Sequence, residues 1–426
     1  MSQTTASKNG VFTGALNTNE IIIKLMQILM KINLLLIFSI WVNLAVAQNV
    51  RIISDFESAS IGSLKQTGPN EFKGQPMHWI KYDQIGNQYY WFYFQVINVK
   101  NKIVSFEFNN LIGVYRGTPH ICYTGYTQPV LSYDNESWIR IQDVGYNEDD
   151  KIFRFTTYFE QDTAWIAYAH PYPYSRYMRY LDSVSSSPFL NIVAEGITPE
   201  SRSIPLLEIT NPESKNDKKN VFIMAMQHSG EDAGGFSVEG IINFLLSDNT
   251  EAQRIRDDYT YYIIPMMNPD GVYHGVSRYS PLMQDLNDEW VRDDTDILDV
   301  PVEVEFAKGW ITEQHNMNNT MDLFIDIHCH LQRNLFNAFL DRSSETEALK
   351  GLTENMRKYW PHVRYGHRYS PARLAVNFTS GLGIPSLLVE FTQAYESDGD
   401  GNYLTIDDYR QFGEDMVRAI TDSLNE

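Results

Sequence analysis

Two apolar runs of strand length, each closing on a histidine, constrain this chain more than any other feature. Val221 to Met226 leads into His228-Ser-Gly-Glu231, and Leu323 to Ile327 leads directly into His328. In open α/β sheets, active sites gather at the carboxyl ends of strands, and both histidines fall there if the two runs are strands. Two ligand-type side chains three residues apart on a tight turn, with a third from another strand, can hold a catalytic zinc and leave its fourth position to water. A third run, Ser386 to Val389, ends in Glu390, where a carboxylate suits a general base better than a core. The chain therefore reads as a hydrolytic enzyme.

The stretch between the ligands is more specific than any one motif. It holds Asn268-Pro-Asp-Gly-Val272, then Gly275-Val-Ser-Arg278, then Asp285-Leu-Asn287 before Trp290. This order, the step from Arg278 to Asn287 and the final Glu390 resemble the zinc metallocarboxypeptidases, most closely their cytosolic carboxypeptidase branch. The resemblance extends over most of the chain beyond residue 47, because the segment ahead of these motifs is similar to the β-sandwich that precedes the catalytic domain in that branch.

The resemblance implies a role for each matching position. His228, Glu231 and His328 hold one zinc per chain. Glu390 is the general base toward water and returns the proton to the leaving amine. Arg278 polarises the scissile carbonyl and stabilises the oxyanion. Asp285 accepts the second imidazole proton of His228 and fixes its tautomer. Asn287 binds the carboxylate at the end of a peptide or protein substrate. Arg373, within Pro371-Ala-Arg-Leu374, resembles an arginine motif of the same branch; it contacts either the substrate or a structural partner.

One position departs from the family pattern. Where the family follows this Asn with an Arg that pairs with the terminal carboxylate, the chain has Asp288. A planar fork of donors has become an anion, and an anion facing an anion in a partly dry pocket repels. Three explanations stand side by side. Arg292 or Arg373 supplies the missing charge, or the substrate terminus is basic or amidated and Asp288 reads it, or the protein binds a peptide without cleaving it. A zinc amidase or deacylase on the same scaffold is a further alternative.

Composition fits an enzyme of two domains and excludes some partners. With 426 residues and 43% hydrophobic side chains, the chain can fill two cores. Its formal charge is −20; residues 1 to 47 hold Lys8, Lys24 and Lys31 against Glu20, so the remainder carries −22. Nucleic acid is therefore an unsuitable partner, while cationic substrates are favoured electrostatically.

The first 47 residues read as a secretory signal with an over-extended start. Lys24 and Lys31 precede the apolar stretch Leu34 to Val42, and Ala45-Val-Ala47 before Gln48 fits the small-residue cleavage rule. Translation from Met26 or Met30 and a mature terminus at Gln48 follow, with no stable membrane anchor after cleavage and a secreted or periplasmic enzyme. The apolar stretch is short of the ~20 residues that span a bilayer. Cys122 and Cys329 are expected as free thiols, since two cysteines make no disulfide framework.

Fold class follows from periodicity. Residues 48–170 alternate apolar and polar positions, as in Ile103 to Phe108, Ile152 to Phe159 and Thr163 to Ala169, and read as an N-terminal antiparallel β-sandwich. The consecutive aromatics Tyr89 to Phe94 suit its core and the domain interface better than a carbohydrate platform. Residues 171–426 interleave strand-like runs with helical spacing over Val238 to Leu246, Val302 to Ile311, Leu349 to Tyr359 and Tyr409 to Leu424. This predicts an α/β/α carboxypeptidase domain with a mixed sheet. His315, His330, His362 and His367 are surface or packing histidines in this reading, and neither Tyr365 nor Tyr369 earns a site role.

Overall fold

The structure, a computed structural model, describes residues 18–45, 49–81, 86–115, 117–292, 298–317, 321–330, 335–340, 347–361, 364–369, 373–393 and 403–425. Met1–Asn49 and Val50–Glu426 are separate compact units. In the first, Thr18–Ala45 is one helix of 28 residues, so Met26 and Met30 lie inside a continuous element. Among the described residues no helix is long and apolar enough to cross a membrane.

The second unit opens with two five-stranded sheets, and a small four-stranded sheet joins them. Alternation explains the strands: along Lys102–Phe108, Val104, Phe106 and Phe108 turn inward while Ile103 stays exposed. Ile152–Phe159 pairs antiparallel with it over its whole length. Aromatic rings fill the space between the sheets, with Phe94 and Phe106 at 5.5 Å and Phe106 and Phe155 at 4.9 Å between centroids. Tyr89 to Phe94 are all buried, so this run is core. One pair departs from an antiparallel sandwich, since Glu71–Gly74 runs parallel to Lys102–Phe108.

An eight-stranded mixed sheet follows. Its central strands Tyr259–Ile264, Lys219–Ala225, Leu323–His330 and Ser386–Thr392 are mutually parallel. Antiparallel pairings bring in Ser203–Ile209 and Leu190–Ile197 on one side and Leu335–Leu340 on the other, which Arg364–Tyr369 extends in parallel. The parallel centre is buried on both faces, which is why Leu323–His330 has no exposed residue and reads as a nearly continuous apolar run. Helices Asp232–Leu246 and Ile406–Asn425 cover one face and lie close together, because a Cβ at Gly240 would sit 1.9 Å from the Arg410 carbonyl. Helix Val302–Asn316 packs on the other face through Val304, Ala307 and Ile311.

Register sets up the site. His328 lies directly across from Glu390 on the neighbouring strand, and Ala225, three residues before His228, lies across from Ile327. The carboxyl ends of three adjacent strands thus end at one place.

Candidate active site

The chain leaves the Lys219–Ala225 strand through Met226, whose φ of 56° is left-handed, a conformation that non-glycine residues hold only under restraint. The restraint is visible. Asn268 Nδ2 donates to the Gln227 carbonyl at 3.1 Å, and the Asn268 amide N–H donates to the Met226 carbonyl at 3.1 Å. Three residues beyond Gln227, Gly230 donates to the Ser277 carbonyl at 3.1 Å; a Cβ there would lie 2.5 Å from that oxygen and 2.9 Å from the Tyr90 ring. Glycine is needed at Gly230 for this approach. The Asn-Pro-Asp-Gly and Gly-Val-Ser-Arg motifs are the clamp on the loop that carries His228 and Glu231.

His228, Glu231 and His328 converge. His228 Nδ1 is 2.7 Å from Glu231 Oε1, His328 Nδ1 is 2.9 Å from Glu231 Oε2, and the two Nδ1 atoms are 3.0 Å apart. All three residues are buried. The Cys329 amide donates to Glu231 Oε2 at 3.0 Å and orients the carboxylate. Among the described residues this is the one His, Cys, Asp and Glu group that could hold a metal ion.

The far side of each imidazole meets a carboxylate. His228 Nε2 is 3.1 Å from Asp285 Oδ1, and His328 Nε2 is 3.0 Å from Asp326 Oδ2. With each Nε2–H donated outward, both Nδ1 lone pairs and the Glu231 oxygens face one another, an arrangement that repels unless a cation stands among them. Zinc bonded at about 2.1 Å in a tetrahedron sets its ligands roughly 3.3 Å apart. The donor set and its spacing fit zinc with small adjustment.

Asp326 was not singled out from the sequence. Its signal was there: a charged residue inside an apolar run, two residues before His328, shares that histidine's face of the strand. Gln227 adds to this layer, donating from Nε2 to Asp326 at 2.7 Å and accepting from Trp290 Nε1 at 2.7 Å.

Charge holds the remaining groups. Arg278 Nε donates to Asp285 Oδ2 at 2.7 Å, so one aspartate ties the arginine to His228, and the guanidinium lies 5.3 Å from the Tyr115 ring centroid. Burial alone would raise the Asp285 carboxyl, but Arg278 and then His228 outweigh it and hold it well below the usual carboxylate range. Glu231 is likewise held down by His228 and His328 against its burial. Glu390 behaves oppositely. Burial, then the Glu231 charge, pushes it up to about 7.

The residues expected on the substrate side are placed less simply. Asn287 is buried and turned inward, with Nδ2 3.4 Å from His328 Nε2 and Oδ1 3.3 Å from Gln227 Nε2. Asp288 pairs with Lys81 of the sandwich, Nζ to Oδ2 3.5 Å, and its backbone carbonyl accepts from Arg373 Nε at 3.0 Å. Arg292 lies 3.7 Å from Glu289 and donates to the Leu298 carbonyl. Arg373 thus lies beside Asp288, and Arg292 is engaged nearby by its own neighbours. Both cysteines are buried free thiols. His330 is buried outside the metal-ligand group, His315 is partly buried on its helix, and His362 and the side chains of Tyr365, His367 and Tyr369 lie outside the described residues.

A mixed sheet with a His-x-x-Glu turn and a distant histidine at its carboxyl edge defines a class, and the comparisons agree. Residues 177–321 match the zinc carboxypeptidase family and residues 52–169 match the cytosolic carboxypeptidase N-terminal domain. Over these two segments the chain is similar to the zinc carboxypeptidases and to the cytosolic branch among them. It is 32% identical to cytosolic carboxypeptidase 6 of Mus musculus over 65% of this chain and 52% of the mouse protein. To cytosolic carboxypeptidase 6 of Caenorhabditis elegans it is 29% identical over 74% of this chain and 69% of the other. The chain therefore spans only about half the length of the mouse relative. Among solved structures, a metallo-carboxypeptidase from Burkholderia cenocepacia matches with a TM-score of 0.75 at 23% identity, covering 88% of this chain and 99% of that one. The metallo-carboxypeptidase from Pseudomonas aeruginosa in complex with (2-guanidinoethylmercapto)succinic acid matches at 0.72 and 25% identity, covering 88% and 99%.

These relatives correct one expectation. The signal segment and the secreted or periplasmic location are overturned, because the curated relatives are named cytosolic carboxypeptidases. An apolar stretch ending in small residues fits an export signal, but the same residues equally form the end of a longer helix, Thr18–Ala45.

Proposed function

We propose that this chain is a zinc-dependent metallocarboxypeptidase that hydrolyses the C-terminal peptide bond of a peptide or protein. The observation that carries this reading is the convergence of His228, Glu231 and His328, with Glu390 in register on the next strand. When bound, zinc would act as a Lewis acid and lower the pKa of water toward ~7. Glu390 takes the proton from the attacking water, and its raised affinity for protons lets it hold that proton and return it to the leaving amine near neutral pH. Arg278, fixed through Nε by Asp285, donates to the carbonyl oxygen as negative charge grows there. Asp285 and Asp326 hold the two imidazoles through Nε2, in the tautomer that would leave both Nδ1 atoms free to hold zinc.

A basic or amidated terminus read by Asp288 has weaker support, because that carboxylate already has Lys81 beside it. The inward turn of Asn287 favours a second reading, a zinc amidase or deacylase that needs no carboxylate contact from this residue. Incubation with a peptide library separates the two. Release of free C-terminal amino acids, abolished by chelation and restored by zinc, is the expected result, and Glu390→Gln should lower turnover at least ~100-fold. Release of acyl groups alone would replace the peptidase reading with the deacylase.

A further inference from the structure

The turn that carries His228 and Glu231 is held by a chain of bonds that ends outside the catalytic domain. Ser229 and Gly230 lie in its middle, and both reach the Gly-Val-Ser-Arg segment. The Ser229 hydroxyl donates to the Val276 carbonyl at 2.6 Å, and the Gly230 amide N–H donates to the Ser277 carbonyl at 3.1 Å. On its other side the Gly230 carbonyl accepts from Gln393 Nε2 at 2.9 Å. The turn is therefore tied to Ser277, the residue directly ahead of Arg278.

Ser277 is in turn gripped by two residues of the sandwich. The Tyr90 hydroxyl donates to the Ser277 carbonyl, and the Trp91 amide N–H donates to Ser277 Oγ at 3.1 Å. A carbonyl oxygen has two lone pairs, so Tyr90 and Gly230 together fill both. The same hydroxyl lies 2.9 Å from where a Cβ at Gly230 would stand, so it packs against the turn as well as bonding beside it. Tyr90 and Ser277 are both buried, which makes this bond costly to leave unmade. The backbone that presents Tyr90 is fixed too. The Tyr123 hydroxyl donates to the Tyr90 carbonyl at 2.9 Å, and Trp91 Nε1 donates to the Ser58 carbonyl at 3.0 Å. Ser58 itself reaches the catalytic domain, its amide N–H donating to the Tyr273 carbonyl at 2.8 Å. Tyr90 and Trp91 lie just ahead of the strand Tyr93–Ile97, far in sequence from every proposed ligand.

We infer that Tyr90 of the N-terminal domain is a positioning residue for the zinc site, acting through the Ser277 carbonyl on the turn that bears His228 and Glu231. The inference rests on the zinc site of the metallocarboxypeptidase reading. It makes the sandwich part of the scaffold of that site, because the grip on Ser277 comes from a domain that supplies none of the proposed ligands.

The experiment uses the full-length protein, stripped of metal and reloaded with zinc or with cobalt, whose visible absorption reports the geometry of its ligands. Tyr90→Phe removes one hydroxyl and keeps the ring. It should weaken zinc binding about three- to tenfold, less than the loss of a direct partner of a ligand, and it should change the cobalt spectrum. Tyr93→Phe is the control, since it loses a hydroxyl bond to Asn135 within the sandwich. That variant should have a lower Tm with the zinc affinity and cobalt spectrum of wild type. Wild-type affinity and spectrum in Tyr90→Phe would show that Tyr90 supports only the domain boundary, and the inference would be overturned. Equal changes in both variants would overturn it as well, by tracing the effect to general destabilisation. If Tyr90→Phe does not fold, Ser277→Ala decides, because it removes the acceptor of the Trp91 amide: weaker zinc binding supports the proposal, and unchanged binding overturns it. Wild-type protein that takes up no zinc would remove both the inference and the reading beneath it. Metal binding that responds to Tyr90, with no amino acid released from the peptide library, would remove the peptidase reading and leave the inference standing.

Discussion

At the scale of single residues, the site is two histidine–carboxylate pairs facing each other across Glu231. Asp285 and Asp326 do the same work on His228 and His328 from opposite sides. Replacing a ligand and replacing its partner should therefore differ in degree. His328→Ala should lose most bound zinc in a protein that stays folded, whereas Asp326→Asn should weaken zinc affinity roughly 10- to 100-fold. Metal content after dialysis against a graded chelator measures both. Unchanged affinity in Asp326→Asn would mean that its contact to His328 does not orient the ligand. That His228, Glu231 and His328 could come together was legible in the sequence because strand ends are visible as the ends of apolar runs. Asp326 was equally visible by its period-two spacing but was outweighed by the run around it. The direction of the Asn287 side chain was not legible, since it is set by Gln227 and His328 from segments distant in sequence.

At the scale of elements, strand and helix positions followed from periodicity, and the differences arise where tertiary contacts decide. The helix expected over Val302 to Ile311 runs to Asn316. Its first turn buries Glu303 at 2% exposure, and burial, with a smaller push from Asp270, raises that carboxyl to about 7. The sign follows from linkage. A carboxyl that binds its proton more tightly when folded stabilises the protein below its unfolded pKa near 4.5, and the contribution is lost as pH rises through about 7. The loss amounts to at most about 3 kcal/mol, given ~1.4 kcal/mol per pKa unit. Glu303→Gln keeps the shape and removes the titration. Urea midpoints between pH 5 and pH 8 should fall less steeply in this variant than in wild type; parallel slopes would show that Glu303 titrates normally.

At the scale of the whole molecule, the two family matches meet in contacts that no local pattern announces. The sandwich was legible from its alternation and the catalytic domain from its motifs, but Lys81 and Asp288 lie far apart in sequence, and nothing near either one names the other. Arg140 is a second such link. From the strand Ile139–Arg140 it donates to the Gln128 carbonyl at 2.8 Å within the sandwich. Across the boundary it donates to the Gln393 carbonyl at 3.3 Å and the Leu404 carbonyl at 3.2 Å. Gln393 follows the Ser386–Thr392 strand that carries Glu390, and its Nε2 donates to the Gly230 carbonyl at 2.9 Å, beside the ligand loop. One guanidinium therefore braces the sandwich against the end of the strand bearing the proposed base. Arg140→Met preserves much of the aliphatic packing but takes this donor from the Gln128 and Leu404 carbonyls, while the Gln393 carbonyl keeps the Tyr409 hydroxyl at 2.6 Å. Each buried unpaired group costs about 1–3 kcal/mol, so a destabilisation of several kcal/mol is expected. A cooperative system should lose this as one transition at a lower Tm. Two separated transitions, with the sandwich melting near its original temperature, would show instead that Arg140 couples the domains without supporting the sandwich itself. An unchanged single transition would remove it from the interface altogether.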